Sequence, residues 1–249
     1  MFSIETVRSV IAANYPPAAH REYMADARRL ALQAGLAYVP GGKMADLGSG
    51  FSPLALILHH SGMRTTMLDR FDYPRDLSFG VSVQELRSML ERQGVSTAEC
   101  DIQRDLLPLP DSSLDVVTCL AVLEHFHHSP KKVFAEMRRV LKPGGRIVLL
   151  TPNSVNLRKR VHVLLGKSNL PPMEQFWKEP QWYGHVREPN LPELRWMAET
   201  SGFSIVRAFG SNDVGIERYP TAARILDPLL KMFPNLCSDI YIVAIRPED

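Results

Sequence analysis

Three cysteines in 249 residues, at positions 100, 119 and 237, are too few and too scattered for a disulfide framework or a cysteine-based metal site. An odd number at such spacings suits a reducing compartment. Net charge is equally scarce. The 29 lysines and arginines against 27 aspartates and glutamates leave +2, so composition gives no sign of general nucleic-acid binding. No apolar run approaches the ~20 residues that a membrane-spanning helix needs. The opening stretch MFSIETVRSVIAANYPP has no basic region ahead of a long apolar core, and no secretory signal is expected from it. Internal repeats and low-complexity tracts are missing as well. These absences predict a soluble, cytoplasmic protein of ordinary globular make-up, read as a single domain over 1–249.

What the chain does have is alternation. Strand-like runs at 43–46, 65–69, 97–101, 114–120 and 146–151 are separated by helix-like stretches at about 52–61, 82–93 and 130–141. Strands alternating with helices imply βαβ units and a parallel sheet covered on both faces. Ahead of them, residues 1–40 are expected to be helical, with 21–38 read as one helix closed by Gly41-Gly42. In RVLKPGGRIVLLTPN (139–153), Pro143 forbids helix continuation and Gly144-Gly145 turn the chain into a buried strand. A helix over 191–202, a strand over 204–209 and a β-rich end, DIYIVAIRP, return to the plan. Two irregular segments, 152–190 and 210–238, read as cap insertions over the end of the sheet.

The segment KMADLGSGFS (43–52) ends the first strand. Gly48 and Gly50, flanking Ser49, let the backbone turn and let a ligand approach without a Cβ in the way. A dinucleotide-binding loop would carry a glycine at 53 to pack beside a pyrophosphate, and this chain has Pro53. Two further acids end the next strands: Asp69, followed by Arg70, and Asp101, followed by Ile102. Asp69 is suited to accept the hydroxyls of a ribose, and Asp101 the amine of an adenine with Ile102 against its ring. Any one of these acids is consistent with an exposed strand end; three at successive strand ends form a constellation.

Asp46-Leu47-Gly48-Ser49-Gly50, Asp69, Asp101-Ile102, LPLPDSSLDVVTCLAVLEHF (107–126) and VLKPGGRIVLLTPN (140–153) together resemble a class I S-adenosylmethionine-dependent methyltransferase of the broad small-molecule group called type 11. The resemblance covers roughly 40–155. It implies a Rossmann-like, doubly wound α/β fold with seven strands, mostly parallel, the last antiparallel and inserted next to an edge. It also implies S-adenosyl-L-methionine as cofactor. Asp46 would order the methionyl amine, Gly48 to Gly50 would face the cofactor, Asp69 and Arg70 would stand at the ribose, and Asp101-Ile102 would frame the adenine. Leu120 and its backbone would lie beside the sulfonium. The chain departs from the family at Ser52, where many members have a third glycine. S-adenosylmethionine carries no pyrophosphate, so a serine is tolerable there.

The methyl acceptor must meet the cofactor's sulfonium end, where AVLEHFHHSP supplies Glu124 and His125. His125 is a candidate general base, with Glu124 orienting it or the substrate. A structural tie within the loop and a metal ligand are the alternative roles. No metal is expected, because the related quinone-pathway O-methyltransferases have a further acid where this chain has Ala121. His185 in GHVRE is the second catalytic candidate, and Phe176, Trp177, Trp182 and Tyr183 form either a ring platform or the core of the cap. The TPN…LRKR…GHVRE arrangement resembles methyltransferases of glycan and glycolipid clusters. The expected activity is therefore O-methylation of a sugar hydroxyl on a small or lipid-linked glycan, with a quinone, phenol or other small metabolite as the alternative acceptor. A catalytically silent cofactor-binding partner is the alternative of another class. Peripheral membrane contact is a further expectation, through NLRKRVHVLLGK (156–167), whose Leu157, Val161, Leu164 and Leu165 share one face, or through 219–234, broken at Pro228.

Overall fold

The structure, a computed structural model, describes residues 2–72, 81–213 and 220–248, and the side chains of all of these except 220–224. Its centre is a seven-stranded sheet of β1 (Lys43–Leu47), β2 (Arg64–Asp69), β3 (Ser96–Glu99), β4 (Leu114–Leu120), β5 (Leu141–Pro152), β6 (Ser204–Ser211) and β7 (Asp239–Ile245). The strand order is β3-β2-β1-β4-β5-β7-β6. β3, β2, β1, β4 and β5 pair in parallel, and β7 lies antiparallel between β5 and β6. The chain order turns back between β1 and β4, and in open sheets that reversal opens a ligand crevice at the strand carboxyl ends.

Ten α-helices surround the sheet among the described residues: α1 (Ile4–Asn14), α2 (Pro17–Ala25), α3 (Ala27–Ala37), α4 (Leu54–His60), α5 (Val83–Arg92), α6 (Lys131–Val140), α7 (Leu157–Leu164), α8 (Met173–Lys178), α9 (Leu191–Thr200) and α10 (Pro220–Lys231). Successive strand side chains point to opposite faces, and so feed two cores. Met44, Val116 and Val148 join Ile11, Leu30, Leu58 and Leu90 on the face covered by α1, α3, α4 and α5. Ala45, Val117 and Leu149 join Phe134, Met137 and Leu194 on the face covered by α6 and α9. Reciprocal caps start two of these helices, Ser82 with Glu85 at α5 and Asn190 with Glu193 at α9.

Four expectations change. The helix expected over 21–38 is two, α2 and α3, parted at Asp26, whose carboxylate binds Arg29 instead of capping α3. β3 stops at Glu99, so Asp101 lies in the turn that follows the strand. β5 already pairs with β4 at Leu141, ahead of Pro143, because Gly144 (φ +74°) bulges and its N–H reaches Arg246 O at 2.8 Å. α10 runs on through Pro228 where a break was expected; the proline forfeits one backbone hydrogen bond without ending the helix.

Candidate active site

The crevice forms where β1 gives way to the glycine turn. Gly48 (φ +64°) and Gly50 (φ +54°) both take the left-handed conformation, which glycine adopts without steric cost. A Cβ on Gly48 would stand 2.6 Å from Val122 Cγ1, so that position has no room for a side chain. The Gly48 N–H donates to Leu68 O at 2.7 Å, tying the turn to the end of β2. Asp69 completes the tie: its Oδ2 accepts from Gly50 N–H at 2.9 Å and its Oδ1 from Phe71 N–H at 3.0 Å. Each carboxylate oxygen keeps a lone pair for a ligand.

Asp46 is buried, and Thr118 on β4 donates its hydroxyl to Asp46 Oδ1 at 2.5 Å. Burial pushes its carboxyl up to about 7; the Thr118 hydrogen bond opposes the rise and the Asp69 charge adds to it. Asp46, Ser49, Ser52, Leu120 and Ala121 line a cavity of about 230 Å³ that α2 and α3 close with Glu22, Arg29 and Gln33. Ala121 sits at φ +57°, a strained conformation of the kind that clusters at functional sites. Tyr23 of α2 donates to Phe51 O at 2.9 Å, docking the helix on the loop.

The adenine-end candidates stand farther out. Asp101 Oδ1 accepts the Gln103 N–H at 3.0 Å, and Cys100 N–H bonds Asp69 O at 2.9 Å, keeping this turn beside the end of β2. Ile102 is buried in the core under α6. Neither lines the 230 Å³ cavity. Arg70 is turned to Asp72 at 3.2 Å with much of its side chain in solvent.

Past β4, residues Leu123–His125 make a 3-10 turn that aligns the acceptor-end candidates. Glu124 is fully buried, and neither carboxylate oxygen has a partner of hydrogen-bonding geometry. Burial pushes its carboxyl up to about 7, with nearby Thr151 and Lys159 pulling it down and Asp239 pushing it further up. Its backbone carbonyl accepts Val186 N–H at 2.7 Å and Arg187 N–H at 3.2 Å, fastening the 152–190 segment onto the site. His125 Nδ1 bonds Tyr183 O at 2.8 Å, and the rings of His125 and His185 meet edge to face at 4.8 Å. His185 Nδ1 bonds Glu188 at 2.7 Å, and Glu188 also pairs with the ammonium of buried Lys159. Burial, with His125 and Lys159 nearby, pushes the His185 imidazole down to about 4, so it is neutral at physiological pH. The structure therefore brings Glu124, His125 and His185 together. It turns His127 toward Trp182 O and His128 toward Arg104.

Of the aromatic set, Phe176 and Trp182 contact each other edge to face at 5.3 Å, while Trp177 is 84 % exposed. In α7, Arg158 and Arg160 stay in solvent, but one member of the basic run turns inward. Lys159 is buried, and the row of Leu157, Val161, Leu164 and Leu165 faces solvent, Leu164 at 85 %. Sequence reasoning missed Glu22, Arg29 and Gln33. Gln33 is buried and Arg29 half-buried on α3, while Glu22 is exposed on α2, so the signal was a glutamine and an arginine among the apolar positions of one helix. A wider hollow of about 910 Å³ lies between α6 and α9 and is lined by none of the residues of the 230 Å³ cavity. It is an open groove between two surface helices, and one of its lining residues, Arg187, donates its backbone N–H to Glu124 O at 3.2 Å.

Residues 45–149 match the model of a methyltransferase domain. Among curated proteins, the chain is 28 % identical over 177 residues to the ubiquinone/menaquinone biosynthesis C-methyltransferase UbiE of Burkholderia mallei, covering 68 % of this chain and 70 % of that one. Among solved structures, it resembles a chain of the complex between the Haloferax volcanii Trm112 methyltransferase activator and a methyltransferase. There the TM-score is 0.61 at 18 % identity, covering 100 % of this chain and 99 % of that one. It also resembles an S-adenosylmethionine-dependent methyltransferase from Mesorhizobium loti, with TM-score 0.55 at 19 % identity, covering 89 % and 98 %. Residues 45–149 thus carry a methyltransferase domain, and the chain around them has the fold of the S-adenosylmethionine-dependent methyltransferases it resembles.

Proposed function

We propose that the chain moves the methyl group of S-adenosylmethionine to a hydroxyl of a lipid-linked acceptor seated between the cofactor crevice and the 152–190 segment. The observation behind this reading is the meeting of Glu124, His125 and His185 at the end of β4. Each imidazole donates its Nδ1–H to an oxygen that can only accept, Tyr183 O or the Glu188 carboxylate, and so keeps a lone pair on Nε2. An acceptor hydroxyl needs such a neighbourhood, since its O–H bond breaks as the oxygen takes the methyl carbon. The electron pair of the old C–S bond stays on sulfur, and the proton leaves by way of the cluster.

In this reading Asp46 holds the methionyl amine, Gly48, Ser49 and Gly50 give the cofactor close backbone approach, and Leu120 flanks the sulfonium. Asp69 accepts the ribose hydroxyls, while Asp101 and Ile102 stand at the adenine edge. Arg29, which lines the cavity beside Asp26, receives the methionyl carboxylate.

The lipid part rests on the outer surface of the same segment. Leu164, Leu165, Met173 and Trp177 are exposed next to Arg158, Arg160 and Lys167, an apolar and basic combination suited to an anionic bilayer. No helix of the described residues is long and apolar enough to cross one. A sugar ring is one acceptor of this kind. The second reading, a quinone or phenolic ring, is favoured by relatives named quinone-pathway C-methyltransferases. Incubation of cell extract with methyl-labelled cofactor, followed by separation into lipid, polysaccharide and small-molecule pools, tests the proposal. Label in the lipid pool that His125→Ala abolishes supports it. Cofactor binding with no label in any pool contradicts it and leaves a silent binding module.

A further inference from the structure

We infer that Glu124, His125 and His185 form a binding site for one divalent ion of the zinc type. Among the described residues they are the one group of three such side chains whose donor atoms lie within 4.8 Å of one another. Two ligand atoms each about 2.1 Å from one tetrahedral zinc ion stand about 3.4 Å apart, so the widest pair has to close by roughly 1.4 Å. The 3-10 turn and the 183–188 loop carry these side chains, and a shift of that size is within reach of χ rotations.

Three observations point to a ligand. Glu124 is 0 % exposed, yet neither of its carboxylate oxygens has a hydrogen-bond partner. A buried carboxylate left in this way costs free energy unless it takes up a proton or a cation meets it, and two imidazoles stand beside it to hold such a cation. Each histidine is then tethered as metal-binding histidines are. His125 gives Nδ1–H to a backbone carbonyl and His185 gives Nδ1–H to a carboxylate, which fixes the tautomer and presents the Nε2 lone pair. Glu188 is itself held by Lys159, so the outer tether is rigid. Finally, the two rings already stand edge to face at 4.8 Å, converging from segments sixty residues apart in sequence.

Two imidazoles and one carboxylate suit zinc or a neighbouring transition metal. Magnesium and calcium favour oxygen-rich sets and are excluded by this chemistry. The sequence reading expected no ion because Ala121 replaces an acid in the loop; the third donor comes instead from His185 in the segment folded over it. Three protein ligands leave a coordination position open, as catalytic zinc sites do. An acceptor hydroxyl bound there would lose its proton more readily, to water, since the Nε2 lone pairs of both imidazoles would then hold the ion. The inference rests on the proposed acceptor site for the ion's use, but not for its binding.

Its test therefore reads binding directly. Chelator-stripped protein is titrated with Co²⁺, followed by visible absorption, and with Zn²⁺, followed by calorimetry. One equivalent should bind, with cobalt bands of low-coordinate geometry. His185→Ala and Glu124→Gln should each weaken binding 100-fold or more, and Glu188→Gln roughly 10- to 100-fold through the lost tether. Circular dichroism and cofactor binding verify the fold of each variant; should Glu124→Gln not fold, His185→Ala and His185→Gln decide. Absence of cobalt bands and of heat with zinc overturns the inference, as does wild-type affinity in the folded His185 variants. Failure here with cofactor binding intact leaves methyl transfer to an ion-free cluster. Zinc binding without cofactor binding removes the transfer reading alone.

Discussion

The Asp69 carboxylate grips both sides of the cofactor loop, accepting Gly50 N–H at 2.9 Å and Phe71 N–H at 3.0 Å. One residue thus sets the loop's shape and keeps lone pairs free, which the proposed function assigns to the ribose hydroxyls. Asp69→Ala should weaken S-adenosylmethionine binding roughly 10- to 150-fold, the equivalent of about 1.5–3 kcal/mol for hydrogen bonds to a charged group. Calorimetry measures this. Unchanged affinity would remove Asp69 from the cofactor site.

Asp46 should make cofactor affinity depend on pH. Its carboxyl, ordinarily near 3.8, is raised to about 7 by burial. Between about pH 4 and pH 7 the unfolded chain has lost this proton while the folded chain keeps it, so stability falls as pH rises through that window. An incoming methionyl ammonium favours the charged carboxylate. Affinity should therefore increase as pH rises toward 7, by at most about tenfold per pH unit for one linked proton, and level off above. Titrations at pH 5.5 to 8 measure the slope. In Asp46→Asn the slope should vanish, and a slope that persists would contradict this assignment.

Gly48→Ala should destabilise the fold and abolish cofactor binding. Its φ of +64° costs an alanine about 1–2 kcal/mol, and the new methyl would meet Val122 Cγ1 at 2.6 Å. Gly62→Ala, at φ +90° with nothing within 4 Å, isolates the backbone cost. Thermal unfolding should rank Gly48→Ala below Gly62→Ala, and Val122→Ala should recover part of the difference. Equal melting temperatures for the two alanine variants would remove the steric part of this explanation.

The sheet and the cofactor loop were legible because their signals are local. Asp46, Gly48, Gly50 and Asp69 lie within 24 residues, and the strand–helix alternation around them admits few topologies. Asp101 was displaced only by the early end of β3. His185 was visible as a residue but not as a neighbour of Glu124, because their meeting depends on the path of the irregular segment between them. Arg29 and Gln33 were hidden in a stretch read only as a helix over 21–38. In α7 the apolar row was found correctly, but periodicity cannot say which face the protein covers. Lys159 turned inward to Glu188, and Leu164 outward to solvent.

That outward row makes a surface prediction. Leu164→Glu combined with Trp177→Glu should abolish co-sedimentation with vesicles containing anionic lipid. Both side chains are more than 80 % exposed, so folding stability should change by no more than about 0.5 kcal/mol per site. Equal sedimentation of wild type and variant would contradict a membrane role for α7 and α8.

Calorimetric titration of the protein with S-adenosylmethionine and with S-adenosylhomocysteine addresses the cofactor crevice most directly. One molecule of either should bind per chain, with Asp46→Asn and Asp69→Ala both weakened. No heat from either compound, with the protein shown to be folded, would contradict the crevice and every acceptor-side role built on it.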